Sequence, residues 1–181
     1  MQPIDFFAPQ WHSETSDRPM LYIYDKGGEG DIAQCTADEA MQQTSVNVHN
    51  PSRHTILFLP VDHNIDIRKD GTNDTASTCD YMLVADGDEL LIFGEIKNKL
   101  KRWIADGARQ VKNTIDIFQA NHDMTRWKGH RAYVSNCRYW RARPSTRNVE
   151  ETFRRETGIR LYIQNDIHLD SETLPSGKFP L

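Results

Sequence analysis

Two acidic residues and a lysine have a spacing that could support metal-assisted chemistry. Glu95 follows Asp80 by fifteen residues, and Lys97 completes the tripeptide Glu95-Ile96-Lys97. Because side chains alternate along a strand, Glu95 and Lys97 share one face and Ile96 points to the other. Neighbouring carboxylates repel each other, and Mg²⁺ relieves this repulsion while it also binds phosphate oxygens. A lysine beside such a cation could orient an attacking water and balance the charge that develops on a phosphorane.

A β-hairpin is predicted to bring these residues together. Residues 79–84 and 89–97 have the composition of two strands, and Asp86-Gly87 between them is typical of a hairpin turn. A two-residue turn makes Asp80 and Glu95 diagonal neighbours at roughly 7 Å, whereas a four-residue loop places them directly opposite each other. Both arrangements put the two carboxylates on one face of the sheet, and only an odd loop or a bulge would separate them.

Apolar periodicity predicts the elements on either side of this hairpin. Residues 55–59 form a β-rich apolar run ended by Pro60, which is typical of a strand buried on both faces. Beyond Lys97, apolar residues recur every three or four positions and predict a helix of about five turns. These residues are Ile104, Ala108, Val111, Ile115 and Phe118.

The remaining elements complete the predicted domain. Residues 131–135 and 160–164 predict two further strands, and the helix between them begins at Ser145 or Thr146 and ends at Gly158. This order predicts an α/β fold with a mixed central β-sheet flanked by helices. We expect a poorly defined N-terminal segment that packs on the core, the core itself and a loose tail, at residues 1–50, 51–170 and 171–181.

The order of these elements and the motif resemble the core of the PD-(D/E)xK nuclease superfamily, whose members include restriction endonucleases, repair nucleases and Holliday-junction resolvases. The resemblance covers about residues 54–135, and Cys79 stands where the family often has a proline before Asp80. It implies a restriction-endonuclease-like core and an Mg²⁺-dependent endonuclease, with Mn²⁺ as a substitute, that hydrolyses phosphodiester bonds. The pattern looks most like small bacterial proteins of defence systems or mobile elements.

The resemblance also implies roles for individual residues. In the superfamily the aspartate, the glutamate and the main-chain carbonyl after the glutamate bind the metal, which maps onto Asp80, Glu95 and Ile96. Lys97 matches the catalytic lysine, and Gln110 matches a glutamine that approaches the site in some branches. The implied partner is DNA, with RNA as an open alternative. One active site cuts one strand, so cleavage of both strands would require a homodimer or two successive cuts.

Basic residues are concentrated in one third of the chain. Residues 1–93 carry a net charge of -11 and residues 94–160 carry +9, although the whole chain carries only -4. This asymmetry indicates a polyanionic partner unless folding brings the acidic residues alongside. We predict nucleic-acid contacts from cations that follow the Glu95 strand and from a later basic and aromatic stretch. These residues are Lys99, Lys101, Arg102, Arg138, Trp140, Arg141 and Arg143.

Two alternatives remain open for this pattern. The chain could be a non-catalytic protein of the same fold that binds nucleic acid or an accessory protein. It could also be a small acidic interaction module in which Asp80, Glu95 and Lys97 form an ordinary ladder of surface charges. The histidines His49, His54 and His63 have no spacing typical of a metal site, and we assign them no role.

The composition indicates a globular protein. The 181 residues include 4 Trp, 6 Tyr and 7 Phe, and the mean hydropathy is -0.69. Apolar runs are far shorter than the roughly 18 to 20 residues of a membrane helix, and no basic and apolar leader is visible. Cys35, Cys79 and Cys137 are widely spaced without a CxxC motif. We therefore expect a soluble protein of the reducing cytoplasm, without disulfides.

Overall fold

The computed structural model describes residues 3–28, 30–69, 71–139 and 146–170. In chain order its main elements are β1 (Glu14–Ser16), β2 (Met20–Tyr24), β3 (Gln34–Thr36), β4 (Val46–His49), β5 (Ile56–Pro60), β6 (Tyr81–Ala85), β7 (Leu90–Ile96), α1 (Trp103–Asn121), β8 (Gly129–Ser135), α2 (Arg147–Thr157), β9 (Arg160–Ile163) and β10 (Asp166–His168). One six-stranded sheet has the order β1-β5-β6-β7-β8-β9, and a four-stranded sheet has the order β10-β4-β2-β3. The α/β class predicted from the sequence is confirmed.

The six-stranded sheet is mixed because two kinds of connection build it. Strands β1, β5, β6 and β7 pair antiparallel, whereas β7, β8 and β9 pair parallel. Parallel neighbours need long crossovers, and α1 and α2 are the helices of these two connections. The predicted helix after Lys97 is therefore present as α1, and α2 ends at Thr157, followed by Gly158, whose φ of 72° suits the residue after a helix. Thr146 lies at the start of α2 without a side-chain capping hydrogen bond.

The six-stranded sheet lies between the helices and the second sheet. Its helix-facing side packs residues such as Met82 and Phe93 against Val111 and Phe118 of α1. On its other side, Leu83 and other side chains pack against the four-stranded sheet. Residues 3–50 contribute β1 to the larger sheet and β2, β3 and β4 to the smaller one.

The central hairpin has the longer of the two loops that the sequence allowed. Ala85 pairs with Leu90, so residues 86–89 form a four-residue loop and the two-residue turn is wrong. The loop is held from outside the hairpin, because Asp86 Oδ1 accepts from Thr55 N at 2.9 Å and the Trp127 indole donates to the Gly87 carbonyl at 3.1 Å. Every residue of β6 and β7 is buried, so the hairpin is central to the sheet rather than a surface ladder.

The cysteines and the helices of the structure can be compared with the sequence. All three cysteines, Cys35, Cys79 and Cys137, are free, which confirms that they form no disulfide. Within the described ranges, no helix has the length and apolar character needed to cross a lipid bilayer.

The hydroxyl of Tyr81 leads to a stability prediction. Tyr81 is fully buried, and its Oη has no hydrogen-bond partner among the described residues. A buried hydroxyl without a partner costs about 1 to 3 kcal/mol, so we expect Tyr81→Phe to raise the free energy of unfolding by about 1 kcal/mol. Urea unfolding of the two proteins measures this difference, with Tyr162→Phe on the partly exposed β9 as the control. A lower stability for Tyr81→Phe would contradict the prediction.

Candidate active site

Asp80 and Glu95 lie side by side on the helix-facing side of the central sheet. Tyr81 pairs with Gly94, so the next residue outward on each strand places Asp80 opposite Glu95. Met82 and Phe93, each two residues away on its strand, belong to the core beneath α1. Because side chains alternate along a strand, both carboxylates project toward that helix at the same end of the hairpin.

Glu95 is a buried carboxylate with one cationic partner. Only 1% of its surface is exposed, and the Lys97 ammonium forms an ion pair with its Oε1. Its Oε2 has no hydrogen-bond partner among the described residues. Helix α1 comes close at Gly107, where a Cβ atom would lie 3.3 Å from Cγ of Glu95 and 2.6 Å from Cγ1 of Val134. The glycine therefore lets the helix cover the carboxylate.

Asp80 is held by backbone contacts on two sides. Its Oδ2 accepts a hydrogen bond from the backbone N–H of Ile96 at 2.5 Å. The preceding residue, Cys79, donates its backbone N–H to Oγ1 of Thr114 at 2.7 Å, and this hydroxyl donates to the carbonyl of Gln110 at 3.1 Å. Thr114 is fully buried on α1, so it fixes the start of β6 to the helix. The sequence analysis did not identify Thr114.

Lys97 and Gln110 form the polar side of the site. The Lys97 ammonium donates to Oε1 of Gln110, and Nε2 of Gln110 donates to the carbonyl of Thr78 at 3.0 Å. The second bond determines which end of the Gln110 amide faces the lysine. The structure thus brings together Asp80, Glu95, Lys97 and Gln110, the four residues that the sequence placed at one site.

Both carboxyl groups have raised pKa values. Burial raises the pKa of Asp80 to about 7, and the N–H of Ile96 and the charge of Lys97 oppose this rise. Burial also raises the pKa of Glu95 well above its usual range, and the negative charge of Asp80 raises it further, against the effect of Lys97. Burial therefore favours the protonated form of these groups, and a bound cation would favour the deprotonated form.

Two further acidic residues add negative charge to the site. Asp25 and Asp62 both raise the pKa of Asp80, and Asp62 raises that of Glu95 as well. Asp62 follows β5, and the backbone N–H of Val61 donates to the carbonyl of Asp80 at 2.9 Å. The antiparallel pairing of two predicted strands could have indicated Asp62. Asp25 follows β2 of the other sheet, and no local pattern relates it to the hairpin.

The residues present fit Mg²⁺ better than a metal that needs a complete protein cage. Mg²⁺ commonly binds one or two carboxylates and completes its shell with water and phosphate oxygens, and Asp80 and Glu95 supply two carboxylates. Oε2 of Glu95, which has no hydrogen-bond partner among the described residues, is available to a cation. Within the described ranges, no group of three or more His, Cys, Asp or Glu side chains is arranged to hold a metal. Zn²⁺, which usually takes three or four such ligands, fits less well.

The raised pKa values predict how the stability of the metal-free protein depends on pH. Unfolded Asp80 releases its proton near about pH 4, whereas the folded carboxyl has a pKa of about 7. Between these values the folded state binds the additional proton, so the Asp80 contribution to the free energy of unfolding decreases as pH rises. Mg²⁺ or Mn²⁺ should oppose this decrease, because each binds the deprotonated groups.

Urea unfolding between about pH 4 and about pH 8, with EDTA or with Mn²⁺, measures this dependence. Asp80→Asn is the matched variant, because it removes the titrating group and keeps the side-chain size. In EDTA, we expect the free energy of unfolding of wild type to decrease relative to that of Asp80→Asn as pH rises. A difference that is the same at every pH would contradict the assignment.

Folding pairs part of the basic third of the chain with acidic residues. Arg126 contacts Asp88 at 2.7 Å, Lys128 contacts Glu89, and both pairs lie at the hairpin loop, away from the site. The charge asymmetry of the sequence is therefore partly cancelled in the structure. A polyanionic partner would therefore be bound mainly by the cations that have no acidic partner in the structure.

The predicted nucleic-acid residues have different environments. Lys99 contacts Asp106 at 2.5 Å, whereas Lys101 and Arg102 are exposed and form no salt bridge with another described residue. The exposed guanidinium of Arg138 lies over the ring of Tyr139, 5.4 Å from its centroid. Three further predicted residues lie outside the described ranges; they are Trp140, Arg141 and Arg143.

Comparisons of this chain with protein-family models, with curated proteins and with solved structures found no match. The geometry of the site and the order of the strands are therefore the basis for a functional interpretation.

Proposed function

We propose that this protein is a metal-dependent nuclease with a restriction-endonuclease-like core, and that it hydrolyses phosphodiester bonds in DNA. The observation that carries the proposal is the buried carboxylate of Glu95, which lies opposite Asp80, pairs with Lys97 through Oε1 and has no described partner at Oε2. Burial of two acidic groups beside each other is costly, and a bound cation compensates this cost. A surface ladder of charges would be exposed and would have little effect on stability.

The arrangement of elements also supports this core. Strands β5, β6 and β7 are consecutive and antiparallel, and α1 leads from β7 to the parallel strand β8. The superfamily that the sequence resembles has this order of elements. Asp80 lies directly before β6 and Glu95 lies in β7, at the edge of the sheet where α1 begins.

The residues of the site divide the chemistry between them. Asp80, Glu95 and the carbonyl of Ile96 would hold Mg²⁺, which lowers the pKa of a water molecule and offsets phosphate charge when bound. Lys97 would orient the attacking water and stabilise the negative charge that develops on the phosphate. Gln110 positions the lysine, since its amide accepts from the ammonium and is itself held by the carbonyl of Thr78.

The direct test is cleavage of supercoiled plasmid and of a single-stranded oligonucleotide by the purified full chain. We expect nicked or shortened products with Mg²⁺ or Mn²⁺ and none with EDTA. Mn²⁺ binding, measured by calorimetry on wild type and on Glu95→Gln, is a second measurement that does not depend on turnover. Metal-independent cleavage, or intact substrates together with absent metal binding, would refute the proposal.

A further inference from the structure

Leu100 is an exposed apolar side chain in the segment that joins Lys97 to helix α1. It is 58% exposed, and no other large hydrophobic side chain of the described residues is exposed. A single exposed leucine is common on protein surfaces and has no meaning by itself. Its position is the informative observation, because Leu100 follows Lys97 by three residues and lies between Lys99 and Lys101.

A hydrogen-bonded asparagine joins the loop of Leu100 to the loop that follows β8. Asn136 is 1% exposed, and its Nδ2 donates to the carbonyl of Lys99 at 2.9 Å. Its Oδ1 accepts from the backbone N–H of Tyr139 at 2.8 Å. Because β7 and β8 are parallel, their ends lie at one edge of the sheet, and this edge also carries Glu95.

We refer to Leu100, Lys101, Arg102, Arg138 and Tyr139 as the base-contact surface. It combines two apolar or aromatic side chains with three cations. Lys101 and Arg102 are exposed and form no salt bridge with another described residue, and the charge of Arg102 also lowers the pKa of Asp106. Tyr139 is half-buried, and Arg138 covers its ring.

We propose that this surface contacts the bases of the substrate, and that the substrate is DNA with unpaired bases next to the scissile bond. This inference rests on the proposed nuclease function and specifies its substrate class. Phosphates satisfy the cations, but they give an aliphatic side chain nothing to pack against. The faces of the bases are apolar; a continuous duplex hides them by stacking, and a single strand or an unpaired segment exposes them.

The test measures binding of fluorescein-labelled DNA by anisotropy in the background of Glu95→Gln, so that no cleavage occurs. The probes are a single strand, its perfect duplex and the same duplex with a short mismatched bubble. We expect Leu100→Ser to bind the single strand and the bubble about tenfold more weakly, which corresponds to about 1.4 kcal/mol. Affinity for the perfect duplex should change less than about twofold, and Leu100→Met should retain the wild-type affinities.

The salt dependence of binding separates base contacts from phosphate contacts. Leu100→Ser should leave the slope of log K against log salt unchanged, whereas Lys101→Ala should reduce this slope by about one. Because Leu100 is exposed, its substitution should leave the melting temperature unchanged.

The possible failures are distinguishable. If the wild type cleaves DNA and Leu100→Ser weakens binding of all three probes equally or of none, the base-contact inference is wrong and the nuclease proposal stands. If Leu100 determines binding of single strands but the wild type cleaves nothing, the base-contact surface stands and the nuclease proposal is wrong. Absence of binding to all probes by both the wild type and its Glu95→Gln variant would overturn the inference.

Discussion

Glu95→Gln is expected to reduce metal-dependent cleavage at least about a thousandfold, equivalent to about 4 kcal/mol of transition-state stabilisation. The substitution keeps the size of the side chain but removes a carboxylate that would hold the cation. Because burial raises the pKa of Glu95 well above its usual range, glutamine removes a negative charge that is costly to bury. We therefore expect the melting temperature in EDTA to be at least that of wild type.

Lys97→Met should reduce cleavage about as much as Glu95→Gln does, but for a different reason. Methionine retains much of the aliphatic length, so it leaves Glu95 and Gln110 in place but removes the charge that contacts both. We expect Mn²⁺ binding to persist in this variant and to be lost in Glu95→Gln. This difference would distinguish Lys97, which stabilises charge, from Glu95, which holds the metal.

Matched controls make these losses interpretable. Glu89→Gln makes the same chemical change near the other end of the hairpin strand, where Glu89 is exposed and contacts Lys128. Lys112→Met makes the lysine change on α1, where Lys112 contacts Asp116 at 2.6 Å. Both controls should retain cleavage within about twofold of wild type. Full cleavage by Glu95→Gln or Lys97→Met would show that the chemistry lies elsewhere.

Gly94→Ala is expected to cause a large loss of stability, about 3 kcal/mol in the free energy of unfolding. A Cβ atom at this position would overlap Cζ and Oη of Tyr81, the residue paired with Gly94 across the hairpin. The ring has no free space into which it could move, because Tyr81 is fully buried and its centroid lies 6.3 Å from that of Phe58. Gly94 also precedes Glu95, so the same strain would displace the site.

A double-mutant cycle tests whether this overlap is the cause. In the background of Tyr81→Leu the ring is absent, and Gly94→Ala should then cost at least about 1 kcal/mol less than in wild type. Gly71→Ala is the control for glycine replacement, because its φ is 73° and a Cβ atom there would meet nothing within 4 Å. It should cost about 1 kcal/mol through backbone strain alone. Equal costs at Gly94 in both backgrounds would exclude the overlap as the cause.

The shared face of Asp80 and Glu95 could be predicted because it depends only on local rules. A two-residue turn and a four-residue loop both preserve the alternation of side chains, so the shared face did not depend on which loop forms. Helix α1 was predictable for a similar reason, since its apolar residues repeat with the helical period. Gln110, which the resemblance assigned to the site, lies on this helix and meets Lys97.

The charge pattern was a weaker guide because charges act through space rather than along the chain. The basic segment is strongly positive in the sequence, but Arg126 and Lys128 are paired with Asp88 and Glu89 of the hairpin loop. The charge of Asp25, which follows a strand of the second sheet, raises the pKa of Asp80, although more than fifty residues separate the two. Neither effect follows from a local pattern.

The sequence by itself determined the α/β class, the central hairpin and the shared face of Asp80, Glu95 and Lys97, because alternation and helical period act over a few neighbouring residues. Gln110 was assigned to the same site by the resemblance to the nuclease superfamily. Only the tertiary structure decided that Glu95 is covered by α1 at Gly107 with no partner for Oε2, and that Leu100 stays exposed at the same edge. These properties depend on how distant segments pack. The proposed chemistry depends on both: the local sequence pattern places the two carboxylates on one face, and tertiary packing buries them, so that their charges are unfavourable without a cation.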